Sequence, residues 1–410
     1  MASALALTSC SDLFGRPNRG ESGSKNDSIP AVTIPAPTVV FENDSAEQTK
    51  PVERPQQLHT TYAEYFLNGM SDAERTVYEE ISSGLFNCDS VIDITDGVVP
   101  GESFNDFLSF VTATSVLAAN MDSNYQMYVD DNGFVTKIEP SYSQTAQESW
   151  KAYNDMLQKA QEITILLDED MSDYEKVKYL HDYIIKNCVY DGGGVNANNA
   201  YGCLCEGKGV CESYSKAFSL LCELAGVPSV TVLGSAVEEN GLVQSHMWNK
   251  VMVDGIWYNV DCTWDDPTGT VFDDYLRYDY FLLCDADMSA THTEDYNAYM
   301  TAPAAWDANG TYFLREGLTL DYYTDAAYEF SEQARKFFDG ELPDDTIRFR
   351  CYDEQVYQWA YDTLFTENYY TGEKGINDIL GDYLGDGQQI QYYLAENRRL
   401  NIFSVRLVLI

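Results

Sequence analysis

The sequence predicts an α+β fold, and three observations carry that expectation. Thr145 with Glu148 and Ser172 with Glu175 each form a capping box, and helical spacing follows both. The stretch HMWNKVMVDGIWYNVDCTW, residues 246–264, reads as a β-hairpin around Asp254-Gly255, a favoured two-residue turn. On either side of these lie smaller mixtures of helix and strand signals, such as NYQMYVDDNGFVTKIEP and DTIRFRCY.

Composition sets the limits. The chain has 410 residues, 45% hydrophobic and 13% aromatic, enough for a sizeable core in two or three domains. A net charge of −41 argues against nucleic acid or an anionic membrane surface as a partner. No apolar run reaches the roughly 20 residues of a membrane span.

Residues 1–10 end in Leu7-Thr8-Ser9-Cys10, which resembles a bacterial lipobox, although the basic residues of a signal peptide are missing. That reading predicts lipidation at Cys10, with the mature protein held by its lipid at the outside of the cell. Residues 11–61 are rich in Ser, Asn, Pro, Thr and Glu and predict a flexible spacer. An α+β module follows over 62–143, with a helix in SDAERTVYEEISSGLF and a hairpin signalled by Asp-Asn-Gly.

The central region, 144–318, carries the chemistry. In SDYEKVKYLHDYIIKNCVYD, Val177, His181, Ile184 and Cys188 share one helical face, so His181 is expected to be a core histidine. A glycine- and asparagine-rich loop then leads to Cys211. The next helix has Tyr214, Ala217, Phe218, Leu221 and Leu224 as its apolar stripe, and Gly226 and Pro228 end it. SVTVLGSAV is a strand. Residues 319–410 form a last α+β module whose element order loosely echoes that of 62–143.

With Asp254-Gly255 as the turn, Val253 faces Ile256. Continuing that register sets Trp248 opposite Asp261 and His246 opposite Thr263. His246, Trp248, Lys250, Asp261 and Thr263 then share one face, and the other face is apolar. His246 and Asp261 become diagonal neighbours, about 7–8 Å apart at the backbone, within reach of a side-chain hydrogen bond. Asp261 would fix the tautomer of His246. Cys211, at a helix N-terminus, would gain thiolate stabilisation from the helix dipole and a nearby imidazolium. The trio supplies a nucleophile, a base and an orienting carboxylate for acyl transfer.

The remaining candidates are less specific. Tyr201 is a candidate second oxyanion donor beside the Cys211 N–H. Trp248 and Trp264 could line a substrate cleft, whereas Trp257 is expected to pack. Cys203, Cys205, Cys211 and Cys222 lack the paired knuckle spacing of zinc, and no metal is expected. The acidic run DDPTGTVFDD lacks calcium-loop spacing and reads as solvated. His59 and His292 have no partner pattern and are expected at the surface. If Cys10 is lipidated and Cys211 free, eight cysteines remain, enough for four disulfides or for a reduced protein.

GKGVCESYSKAFSLLCELAGVPSVTVLG, SHMWNKVMVDGIWYNVDCTWDD and YEKVKYLHDYIIKNCVYD together resemble the bacterial transglutaminase-like domain, over about residues 145–285. The resemblance implies a papain-like core, with the Cys-bearing helix packed on an antiparallel sheet that carries His and Asp. It places the family's triad on Cys211, His246 and Asp261. It implies acyl transfer through a thioester on a protein or peptide substrate, ending in hydrolysis or in cross-linking to an amine, with no cofactor. The family often has glycine after the cysteine's neighbour and alanine soon after; here the run is Cys211-Glu212-Ser213-Tyr214-Ser215, and Glu212 adds a negative charge that works against a thiolate. A cell-surface scaffold that keeps the fold without turnover is the rival expectation.

Overall fold

A computed structural model describes residues 5–8, 51–117, 121–238, 240–266, 276–366 and 375–410. Cys10 and most of the acidic run after Asp266 lie outside the described residues.

Three larger sheets, one two-stranded sheet and a set of helices follow the chain among the described residues. The first region holds α1 (Thr61–Leu67), α2 (Asp72–Asn87) and α3 (Phe104–Thr114). Its sheet contains β1 (Leu5–Thr8), β2 (Ile92–Asp93), β3 (Met121–Val129) and β4 (Val135–Tyr142), in the order β1-β3-β4-β2. The second region opens with α4 (Ala146–Thr164) and α5 (Asp173–Asn187). Both of their capping boxes are formed, by Thr145 with Glu148 and by Ser172 with Glu175. β5 (Val189–Tyr190) and β6 (Lys208–Gly209) pair in parallel across the glycine-rich loop, and α6 (Cys211–Ala225) follows. Gly226, at φ 73°, closes α6 in the left-handed conformation expected of a C-terminal glycine.

Behind α6 stands the sheet that carries the site. It comprises β7 (Ser229–Val237), β8 (Val243–Val253), β9 (Ile256–Val260), β10 (Phe281–Leu283) and β11 (His292–Glu294), with α7 (Asp285–Met288) before β11. The order is β10-β9-β8-β7-β11, all antiparallel. The β8–β9 turn has positive φ at both Asp254 (54°) and Gly255 (80°), the twist a two-residue hairpin prefers. The ladder runs from Val253↔Ile256 to Asn249↔Val260 in the expected register.

Beyond Val260 that register stops. The Asp261 N–H donates to Tyr280 O at 3.0 Å, so β9 continues against β10, and residues 261–265 curl into a turn closed by Asp265 N to Asp261 O at 3.1 Å. Thr263 is therefore not paired with His246, contrary to the extrapolated register, and the backbone turn is what carries Asp261 to the histidine.

The last region has α8 (Tyr312–Arg315), β12 (Thr319–Leu320), α9 (Ala326–Phe338), β13 (Thr346–Cys351), α10 (Glu354–Phe365), α11 (Ile376–Gly381), β14 (Ile390–Asn397) and β15 (Ile402–Leu409). Its sheet order is β12-β13-β15-β14, and its core, around Phe330, Phe349, Tyr357 and Phe403, is its own. The first two regions share one continuous core from Tyr62 to Phe313, which Leu400 and Ile402 of the last region also join. Polar contacts tie the last region on: Arg350 pairs with Asp287 at 2.6 Å, Arg399 donates to the carbonyls of Val237 and Glu238, and Asn397 donates to Asp279 at 3.2 Å.

Candidate active site

Cys211 is the first residue of α6, and Val210 before it is extended and offers no capping side chain. The first-turn N–H groups therefore have no side chain at the cap to accept from them, and the positive end of the helix dipole falls on the thiol. The preceding loop is held closely. Ser213 Oγ donates to Asn199 O at 2.6 Å and accepts from Cys203 N at 3.0 Å. A Cβ on Gly209 would lie 2.4 Å from the Ser213 side chain, so only glycine lets the loop approach the helix there. Glu212, whose charge would oppose a thiolate, is paired with Lys216 at 2.6 Å.

Buried polar contacts lock α6 to β8. Ser215 Oγ donates to Met247 O at 2.9 Å, and Asn249 Nδ2 donates to Ser215 O and to Ser219 Oγ. Each would cost roughly 1–3 kcal/mol if one partner were removed. These contacts fix the height of β8 against the start of α6, and with it His246 against Cys211.

His246 Nε2 meets Asp261 Oδ2 at 2.6 Å. That leaves Nδ1 as the nitrogen in hydrogen-bonding contact with the Cys211 side chain. Burial alone would lower the His246 pKa, but the charge and hydrogen bond of Asp261, with the contact to Cys211, outweigh it and push it up to about 10. Burial would likewise raise Asp261; His246 and His292 overcome this and hold its carboxyl far below the usual range. Its other oxygen, Oδ1, accepts from the N–H groups of Thr263 (2.9 Å) and Trp264 (3.2 Å), the return of the turn that ended the hairpin.

His292 corrects the sequence reading. It is buried rather than exposed, and its Nε2 lies 3.0 Å from the same Asp261 Oδ2. β11 pairs with β7 so that His292 faces Ala236 and Glu294 faces Gly234, while Gly234 also faces His246 on β8. Small residues on the strand between them let the two imidazoles meet over it, with ring centroids 5.2 Å apart. A three-residue strand gives almost no sequence signal; Gly234-x-Ala236 on one face was the sign available.

The other candidates sort as follows. Trp248 is buried, donates its indole N–H to Asn259 Oδ1 at 3.0 Å and lies parallel to His246, so it packs behind the site and does not line a cleft. Tyr201 stands at the start of the Gly202–Glu206 turn, where Cys205, Asp155 and Lys151 act on its hydroxyl, and it is not the tyrosine at the thiol. Tyr190 of β5 is half exposed, and its hydroxyl pKa is raised by burial first and then by the charges of Cys211 and Asp261. Trp264 is half-buried beside His246, at 6.0 Å between ring centroids. His59 is exposed, and His181 is fully buried between two carboxylates.

Among the described residues, His246, Asp261 and His292 are the group whose ligand atoms converge closely enough to hold a metal ion, all within 4.8 Å. Hydrogen bonds within the group already pair the three. The nine described cysteines are all free thiols, Cys203 in contact with Cys188. No helix among the described residues is long and apolar enough to cross a membrane.

A profile of the transglutaminase-like superfamily matches residues 158–262, which include all three of Cys211, His246 and Asp261. Kyphoscoliosis peptidase of Mus musculus is 30% identical over 149 residues, covering 32% of this chain and 22% of the mouse protein. The chain therefore spans about a fifth of that relative's length. Among solved structures, a TGase shares 13% identity over 60% of this chain and 65% of its own, at a TM-score of 0.24. The periplasmic domain of TgpA from Pseudomonas aeruginosa shares 15% identity over 37% of this chain and 66% of its own, at a TM-score of 0.21. The superfamily is one of cysteine-based acyl transferases and proteases. Residues 158–262 of this mixed α+β chain are thus similar to the transglutaminase-like superfamily.

Proposed function

We propose that this protein is a cysteine acyl-transfer enzyme whose nucleophile is Cys211. The observation that carries this reading is the contact of His246, fixed on Asp261 at 2.6 Å, with a thiol at the first turn of α6. The imidazole takes the thiol's proton, which leaves a thiolate–imidazolium pair. The thiolate attacks a carboxamide or peptide carbonyl, and the first-turn N–H of Cys211 donates to the oxyanion. His246 gives its proton to the leaving amine, and a thioester remains on Cys211. Water, deprotonated by His246, resolves the thioester to a carboxylate and regenerates the thiol.

Hydrolysis of a protein or peptide substrate is the favoured outcome over cross-linking, because water needs no second binding site; the name of the mouse relative, a peptidase, supports it. The partners proposed are cell-envelope proteins or peptides, reached from a lipid anchor at Cys10. Cleavage before Cys10 would remove residues 1–9, of which the described ones, Leu5–Thr8, form an edge strand of the first sheet. A scaffold role without turnover draws support from one fact, the 1% exposure of Cys211.

Incubation with a library of glutamine-containing peptides plus a fluorescent primary amine tests the reading by mass. Products 1 Da heavier, or cleaved, mark hydrolysis; amine adducts mark transfer. Both must vanish in Cys211→Ala. Identical products from wild type and variant would overturn it.

A further inference from the structure

The hydrogen bonds around His292 settle its protons one by one. Asp261 is ionised and can only accept, so His292 Nε2 carries a hydrogen and donates it to Oδ2. Nδ1 lies 2.8 Å from Thr291 Oγ1. Burial lowers the His292 pKa and the bond to Asp261 opposes this only in part, which favours the neutral ring. Nδ1 is then an acceptor and the Thr291 hydroxyl its donor. Tyr280, whose ring centroid lies 5.5 Å from that of His292, accepts at its hydroxyl from Asn397 Nδ2 at 3.5 Å. The titratable groups facing His292 are Asp261, His246 and Tyr280; Trp248 and Trp264 close its other sides.

We propose that His292 is a positioning residue: through its second hydrogen bond to Asp261 Oδ2 it holds the carboxylate in the orientation that keeps His246 Nδ1 turned to Cys211. The proposal rests on the reading of Cys211 as nucleophile, but its geometry does not involve the thiol. Oδ1 has two backbone donors and Oδ2 has two imidazoles, so the carboxylate is pinned at both oxygens. Without His292, Oδ2 would be held by His246 alone and could swing with it.

Ring 15N spectra of the full chain test this directly, because the sequence has only four histidines and single variants assign them. His292 is expected to be neutral with its proton on Nε2 at pH 7. In His292→Phe the titration midpoint of His246 should fall by at least about one unit, a tenfold change on the scale of one hydrogen bond to a charged group. His292→Gln, whose side-chain amide still donates, should restore most of it, and Thr291→Val should fall between.

A charged His292, or an Nδ1–H form, would overturn the proposal. So would an unchanged His246 midpoint in His292→Phe. A risen midpoint would show His292 to be a competitor for the carboxylate rather than its anchor. If His292→Phe does not fold, Thr291→Val carries the same comparison. Slow alkylation of Cys211 in the wild type, with these spectra as expected, would instead count against the nucleophile and leave His292 in place.

Discussion

His181 on α5 and His246 on β8 belong to the same domain, and each rests on an aspartate from the turn after β9. His181 binds Asp265 through Nε2 and Asp182 through Nδ1, both at 3.1 Å, and lies against Tyr278 and Phe281. His246 binds Asp261 through Nε2 at 2.6 Å and turns its other nitrogen to a thiol. Burial disfavours the charge on both rings, and carboxylates raise both pKa values in spite of it. Their electrostatics are thus alike in kind. One unspent nitrogen separates them: His181 has none, whereas His246 keeps one for a group that can react. A buried histidine–aspartate pair becomes a candidate site only where one ring position is left open beside a nucleophile.

Substitutions should separate the two pairs, and the largest effect falls on the thiol. Cys211→Ala should abolish turnover in the peptide assay, while its thermal midpoint moves by no more than a few degrees. Asp261→Asn should lower kcat/KM by roughly 10⁴-fold, since an amide cannot stabilise the imidazolium. His181→Leu should do the opposite. It takes one partner each from Asp265 and Asp182, both largely buried, and should cost about 3–5 kcal/mol in denaturant unfolding, yet leave kcat/KM per folded molecule within about twofold. If activity fell with His181 in proportion to Asp261, the two pairs would not be distinct in kind.

The pH dependence sharpens the contrast. A folded His246 pKa of about 10 against an ordinary 6.5 means that its stabilisation is full below 6.5 and is lost as pH rises towards 10. Asp261, held below its ordinary 3.8, stabilises above that value, and this is lost as pH falls through its lowered pKa. Thermal stability should therefore be greatest between about pH 4 and 6.5 as far as this pair decides it, and Asp261→Asn should flatten both flanks. The smallest effect is expected at Glu212→Gln. Breaking its pair with Lys216 should cost at most about 1 kcal/mol and change Cys211 alkylation by less than about threefold.

What the sequence made legible was local. The capping boxes, the α6 stripe and the Asp254-Gly255 turn each depend on residues a few positions apart, and they formed as expected. The His246–Asp261 contact was anticipated from a ladder that in fact ends at Val260; both readings bring the residues together, but the turn at 261–265 makes the bond. His292 could not be placed, because its partner strand lies more than 50 residues earlier and only tertiary pairing sets it beside His246. The tyrosines show the same limit. Tyr190 and Tyr201 flank one loop, and nothing in their spacing says which hydroxyl feels the charge of Cys211; in the fold it is Tyr190, on the strand that pairs with β6. Trp248 alternates correctly with His246, yet strand alternation gives a face and not its exposure.

The central claim is that Cys211 and His246 form an ion pair. The pH dependence of iodoacetamide labelling, read for each cysteine by peptide mass spectrometry, tests it most directly. Rapid labelling of Cys211 near pH 6, lost in His246→Ala while the other eight described cysteines are unchanged, is the predicted result. Labelling of Cys211 that rises only near the ordinary thiol range of about 8.5, alike in both proteins, would contradict it.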